Sequence, residues 1–253
     1  EGHRIAVSFV PATPWGERLA TAFRTRFERL GARVVEQGTY DPAGNDFSDP
    51  IQALLNLDES QARHRALERL LGQNLEFEPR RRQDATVLFL GAHVLNARQI
   101  RPQLQFHHAA DLPVIATSHV YSGSPRPGAD LDLNGLRFPD MPWLLTEQDN
   151  DTLTRRTLAK TLPESGEHLQ RLYAMGIDAY RLIPHLARLQ FSARESLEGE
   201  TGILSLDALN RIRRRLLWAH FEDGLPVVSG YAPAVDFSAV EIAPLGELGS
   251  DGR

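Results

Sequence analysis

Apolar positions in the amino-terminal half of the chain follow two rhythms in turn: short continuous runs, and stripes spaced three or four residues apart. The first run, residues 4–10, carries Ile5, Val7, Phe9 and Val10, side chains suited to a buried strand. Thr13 fits a helix N-cap and Pro14 the first helical position, where its missing amide hydrogen costs nothing. Leu19, Phe23, Phe27 and Leu30 then form one helical stripe, stopped by Gly31, and residues 33–37 read as a second strand. The pattern predicts helices over residues 48–57 and 58–71, the second amphipathic through Ala62, Ala66, Leu67, Leu70 and Leu71. A strand at 86–91, a helix at 94–108 and a strand at 114–117 complete the alternation. Strands alternating with helices imply a parallel sheet covered on both faces.

Beyond residue 121 the pattern changes. Residues 121–142 are rich in loop signals, with one short strand at 136–138. Residues 150–190 read as helical, broken at 163–166 and at Gly176. Residues 202–230 read as a strand, a turn near Asn210, another strand and a last short strand at 226–229. From Pro244 the glycines and acids predict a frayed tail.

Composition narrows the function classes. The chain has 253 residues, enough for one large domain or two lobes, and its 28 basic against 33 acidic residues argue against general nucleic-acid binding. With no cysteine, thiol nucleophiles, disulfides and cysteine-held zinc are excluded. The loop after the first strand, PATPWGE, has one glycine where a dinucleotide cradle needs three, and Lys160, the only lysine, is far from it.

Other constellations are weaker still. DLDLNG, residues 130–135, opens like a calcium loop, but its twelfth position is Met141 where a bidentate glutamate belongs. It reads as a polar turn, and no metal site is expected. His107 and His108 are adjacent, so on a helix they diverge by about 100° and cannot share a metal; one should pack inward while the other meets solvent. His93 and His119 each follow a strand end, where open α/β sheets place ligands. Arg80, Arg81 and Arg82 form a basic cluster that either pairs with Glu76, Glu78 and Asp84 or docks an acidic partner. RIRRR, residues 211–215, has strand period and reads as an exposed face. A hydrolase using His93 or His119 lacks a placed nucleophile, and no serine-elbow or zinc-helix motif occurs.

Several stretches, among them PWGERLATAFRTRFERLGARVVEQGTYDPAGNDFSDPIQALLN, PRRRQDATVLFLGA, ATSHVYSG, DMPWLL and LYAMGIDAYRLIPHL, occur in an order that resembles the C-terminal domain of the LppC/LpoA family. These are outer-membrane lipoproteins that activate class A penicillin-binding proteins. The resemblance extends to about Val228 and includes the type I periplasmic-binding fold. It implies an α/β fold with a parallel sheet flanked by helices, lacking the opening part of the first lobe. Residues 1–145 and 200–243 would form a second-lobe-like unit, 146–199 a helical segment of the first lobe, and 244–253 a flexible tail.

By the same resemblance the protein would be a non-enzymatic activator. It would sit in the periplasm, tethered to the outer membrane through a lipidated N-terminus outside this chain, and contact a peptidoglycan synthase and possible peptidoglycan, with no cofactor and no nucleic acid. The alternative is a small-ligand sensor using the interlobe cleft, with Thr13, Ser118 and Tyr121 as polar candidates, Trp15 as an apolar wall, and His93 and His119 nearby. A sensor needs convergent polar groups there, whereas a docking scaffold can fill the space with side chains.

Overall fold

The alternation of runs and stripes resolves into a seven-stranded sheet in a computed structural model that describes residues 2–146, 154–161, 169–192 and 195–234. Strands β1 (Ile5–Pro11), β2 (Arg33–Tyr40), β3 (Val87–Leu90), β4 (Val114–Ala116) and β5 (Arg137–Asp140) run parallel in the order β2-β1-β3-β4-β5. All four strands expected from the apolar runs lie in this one sheet. A separate three-stranded antiparallel sheet holds β6 (Leu197–Gly199), β7 (Gly202–Leu206) and β8 (Ile212–Arg215). The chain then returns through β9 (Leu217–Glu222) and β10 (Leu225–Tyr231), which extend the main sheet antiparallel beyond β5. Residues 212–222 thus divide between two sheets at Leu216, a break that no glycine or proline signals. Both edge strands are irregular: the β1–β2 register slips past Val35, and the β9–β10 register slips past Ser229 beside Gly230.

Helices follow in chain order: α1 (Pro14–Arg29), α2 (Ser48–Leu54), α3 (Leu57–Leu71), α4 (Val94–Leu104), α5 (Pro127–Asp130), α6 (Pro142–Leu145), α7 (Arg155–Thr161), α8 (Gln170–Leu182) and α9 (Leu186–Phe191). Strand alternation sorts the core by face. Val7, Phe9, Leu88 and Leu90 pack with Ile51 and Leu54 of α2 and with Ala97, Ile100 and Leu104 of α4. Val10 and Phe89 meet α1 through Leu19, Ala20 and Phe23 on the other face. There the Phe23 and Phe89 rings stack at 4.2 Å, adding about 1 kcal/mol beyond their area.

Two stripes are shorter than the sequence predicts. Leu30 is exposed at the end of α1, and α3 buries Leu57 and Ser60 but leaves Leu67, Leu70 and Leu71 in solvent. The α3 stripe begins at the core and then runs past it. The predicted helix over 94–108 gives way at Leu104 to a wider turn over Gln105–Ala109, in which His108 takes φ +59°. His107 is buried and His108 exposed, the split expected, although both sit in this non-helical turn and not on a regular helix.

Within the segment read as helical, the break at 163–166 lies outside the described residues, as does the tail from Pro244. Helix α8 packs on α6, where the buried Trp143 donates from Nε1 to Gln170 Oε1 at 3.1 Å. Leu182 and Leu189 form a small core with Leu204 and Leu206 of β7. Leu172, Met175, Tyr180, Ile183 and Phe191 remain exposed. The Asp178 carboxylate closes the β6–β7 turn, accepting from the Glu200 and Thr201 amides at 2.7 Å and the Thr201 hydroxyl at 2.6 Å.

Candidate functional site

The β2-β1-β3 order places a topological switch point between β1 and β3, and the loops after these strands converge at its carboxyl edge. After β1, Thr13 caps α1 by accepting from the Gly16 amide at 3.2 Å. Gly16 is required for closeness: a Cβ there would stand 2.0 Å from the Pro11 carbonyl oxygen. This tight entry holds Trp15, in the first helical turn, over the edge of the sheet. Beyond β3, Tyr40 donates its hydroxyl to the Gly91 carbonyl at 2.9 Å, fixing the loop that leads to His93 at the start of α4. Beyond β4, the single turn Ser118–Val120 presents His119.

These three side chains meet. The Trp15 and His93 rings stack with centroids 4.7 Å apart, and His119 stands edge-on to both, at 5.1 Å from Trp15 and 5.4 Å from His93. Desolvation, and then the charges of His93 and Arg171, hold the His119 pKa below the ordinary imidazole value. These surroundings favour the uncharged form of His119.

The polar candidates are held in different ways. Thr13 Oγ1 accepts the capping bond of α1, and the Ser118 backbone carbonyl accepts from Arg171. Tyr121 turns the other way, into the core against Phe138 and Phe221, where burial pushes its pKa up to about 12. The expectation that Tyr121 lines the cleft is thereby corrected: the strand-end turn over Ser118–Val120 reverses its direction.

Arg171 of α8 is the residue that ties this edge together, and the sequence reading passed over it. Its Nη2 donates to the Ser118 and Tyr121 carbonyls at 3.1 Å each and to Asp140 Oδ2 at 2.5 Å. Asp140 is almost wholly buried at the end of β5; burial raises its pKa, and Arg171 partly offsets this. One guanidinium thus links the helical segment to the ends of β4 and β5.

The arginine cluster also reads differently in three dimensions. Arg81 is buried and grips Asp111 through Nε and Nη2 at 3.2 and 2.6 Å, while its Nη1 donates to the Arg82 carbonyl. Arg82 holds Asp84 through two hydrogen bonds at 2.8 and 2.9 Å and lies 3.7 Å from Glu36. Only Arg80 of the three is exposed. Arg81 is thus taken up by an acid thirty positions along the chain, and Arg82 chiefly by its near neighbour Asp84, one of the local partners expected for the cluster.

DLDLNG is a structural turn as well. Asp130 is buried, its Oδ1 accepting from Arg98 Nε and Nη2 at 2.9 and 2.7 Å, and Asn134 Oδ1 accepts from the Gly224 amide at 2.9 Å. Among the described residues, no group of three or more metal-binding side chains converges.

The comparisons agree with this architecture. Residues 1–224 match the family model described as "LppC putative lipoprotein". The penicillin-binding protein activator LpoA of Vibrio cholerae is 28% identical over 222 residues, covering 87% of this chain and 36% of the relative. That of Photobacterium profundum is 27% identical over 231 residues, 89% of this chain and again 36% of the relative. The chain thus spans about a third of the length of these relatives. Among solved structures, the LpoA (YraM) C-domain of Haemophilus influenzae, titled a regulator of PBP1A, is similar with a TM-score of 0.58 and 24% identity, covering 90% of this chain and 62% of that one. An ABC transporter substrate-binding protein from Sphaerobacter thermophilus shares the fold with a TM-score of 0.56 and 17% identity, over 92% of this chain and 61% of its own.

Proposed function

This chain belongs to the LppC lipoprotein family, and from that premise we propose that it is part of a periplasmic activator of a class A penicillin-binding protein. The observation that carries the reading is its similarity, along most of its length, to proteins named for that activity. The activator would act by direct contact that stimulates peptidoglycan cross-linking, with no catalysis of its own. It would be anchored to the outer membrane as a lipoprotein and work close to the peptidoglycan.

The carboxyl edge supports a docking scaffold over a ligand sensor. A sensor needs polar groups converging on a cleft. Here Thr13 caps α1 and Tyr121 packs into the core, and the edge presents mutually packed rings of Trp15, His93 and His119. Partly exposed aromatic rings of this kind suit a protein interface.

We also assign residues 1–145 and 200–243 to one lobe and 146–199 to the other. The support is that α8 and α9 keep several large apolar side chains in solvent, Leu172, Met175, Tyr180, Ile183 and Phe191. The decisive experiment adds the purified chain to a purified class A synthase and measures the cross-linked fraction of the product. A rise in cross-linking, together with retention of the synthase on immobilised chain, is expected. Absence of both would remove the activator role from this part of the protein.

A further inference from the structure

At the opposite end of the sheet, beneath the amino ends of β4 and β5, lies a cavity of about 530 Å³ lined by His3, Arg101, Asp111, Leu112, Gly135 and Arg137 among others. Arg101 distinguishes it. The side chain lies on the buried face of α4 with only 6% of its surface exposed. Nε and Nη1 are shut off from solvent, and no described group accepts a hydrogen bond from either. A Cβ on Gly135 would stand 3.5 Å from Nη2, an ordinary contact.

A buried guanidinium without an acceptor has given up its hydration for nothing, and folded proteins seldom leave such a group incomplete. Asp111, on the same cavity wall, does not complete it. Both Asp111 oxygens accept from Arg81, whose hydrogen bonds hold the carboxyl pKa below the usual carboxylate range. That ion pair is closed on itself and cancels the one acidic side chain named in the lining. Arg137 lies on the same cavity wall.

We propose that this amino-edge cavity binds a small oxyanion, of the phosphate or carboxylate type, with the Arg101 guanidinium as its principal donor. Guanidinium groups make forked, charge-assisted bonds to both classes, and a low-dielectric wall strengthens them. The site is remote from the Trp15–His93–His119 cluster, and the inference stands independently of the activator reading.

The test titrates the chain, in a buffer free of other oxyanions, with inorganic phosphate in one arm and acetate in the other. Isothermal calorimetry and the thermal midpoint are followed together. Saturable heat with a rise in midpoint in either arm is expected, and the arm that responds identifies the oxyanion class. Arg101→Met should weaken that binding by about tenfold or more. Arg137→Met, a change at an exposed position, should weaken it by a smaller factor and serves as the second variant should Arg101→Met fail to fold. No saturable response to either anion overturns the proposal, and so does unchanged affinity in both variants.

Discussion

Arg171 at the carboxyl edge of the sheet keeps 31% of its side chain exposed and Arg101 at its amino edge only 6% of its surface, and their surroundings differ as well. Arg171 finds two carbonyls and a buried carboxylate, whereas neither Nε nor Nη1 of Arg101 has an acceptor among the described residues. The first edge has turned its polar groups into internal fastenings and offers rings to the outside. The second has used Arg81 to silence its nearest acid and kept a cation in reserve. The two arginines are thus told apart by the acceptors around them as well as by their burial.

The largest expected effect comes from breaking the satisfied edge. Asp140→Ala leaves Arg171 without its carboxylate and should cost about 3 kcal/mol in urea unfolding. Arg81→Met releases Asp111, which is largely exposed and can rehydrate, so the loss should be about 1–2 kcal/mol by the same measurement. Arg101→Met in buffer free of oxyanions should fall within about 0.5 kcal/mol of the parent or exceed it, because it removes a buried charge that has no partner. A loss comparable to that of Asp140→Ala would abolish the contrast between the two edges.

A smaller effect should appear in the pH dependence. The folded pKa of His119 lies below its unfolded value, so the unfolded chain takes up the proton first as pH falls. Stability from this group is complete above the ordinary histidine pKa of about 6.5 and declines as pH drops from there toward the folded value. His119→Phe should flatten the stability profile in that window, read from urea midpoints on either side of it. The smallest effect belongs to Arg80→Glu, which should leave stability within about 0.5 kcal/mol of the parent.

The sheet was legible because its strands are short apolar runs between turn residues, and the switch-point residues Trp15, His93 and His119 were legible because strand ends locate them. Side-chain direction was not legible: Tyr121 follows the same strand end yet faces the core. Nor could local sequence reveal that Arg81 meets Asp111 across thirty positions of chain. One signal was available and went unused. Ala97, Ile100, Arg101 and Leu104 recur at helical spacing, so Arg101 sits on an apolar face, as Asp178 does between Ala174 and Leu182. A charged residue in the middle of a buried stripe marks a designed polar contact, here the β6–β7 turn in one case and the amino-edge cavity in the other. The leucines of α3 show the reverse, a stripe that looks like core and lies in solvent because the helix outruns the sheet.

The slipped registers at β2 and β10 bear on how this protein can meet others. A flat outer strand would present an unbroken row of amides and carbonyls, ready to be joined by a strand from another molecule. Here each outer strand carries one extra residue that interrupts the row, and β10 also contains Pro226, which has no amide hydrogen to give. The main sheet is thereby a poorer template for an added strand at either side. A partner reading the main sheet would therefore depend more on its loops and helix faces than on its outer backbone.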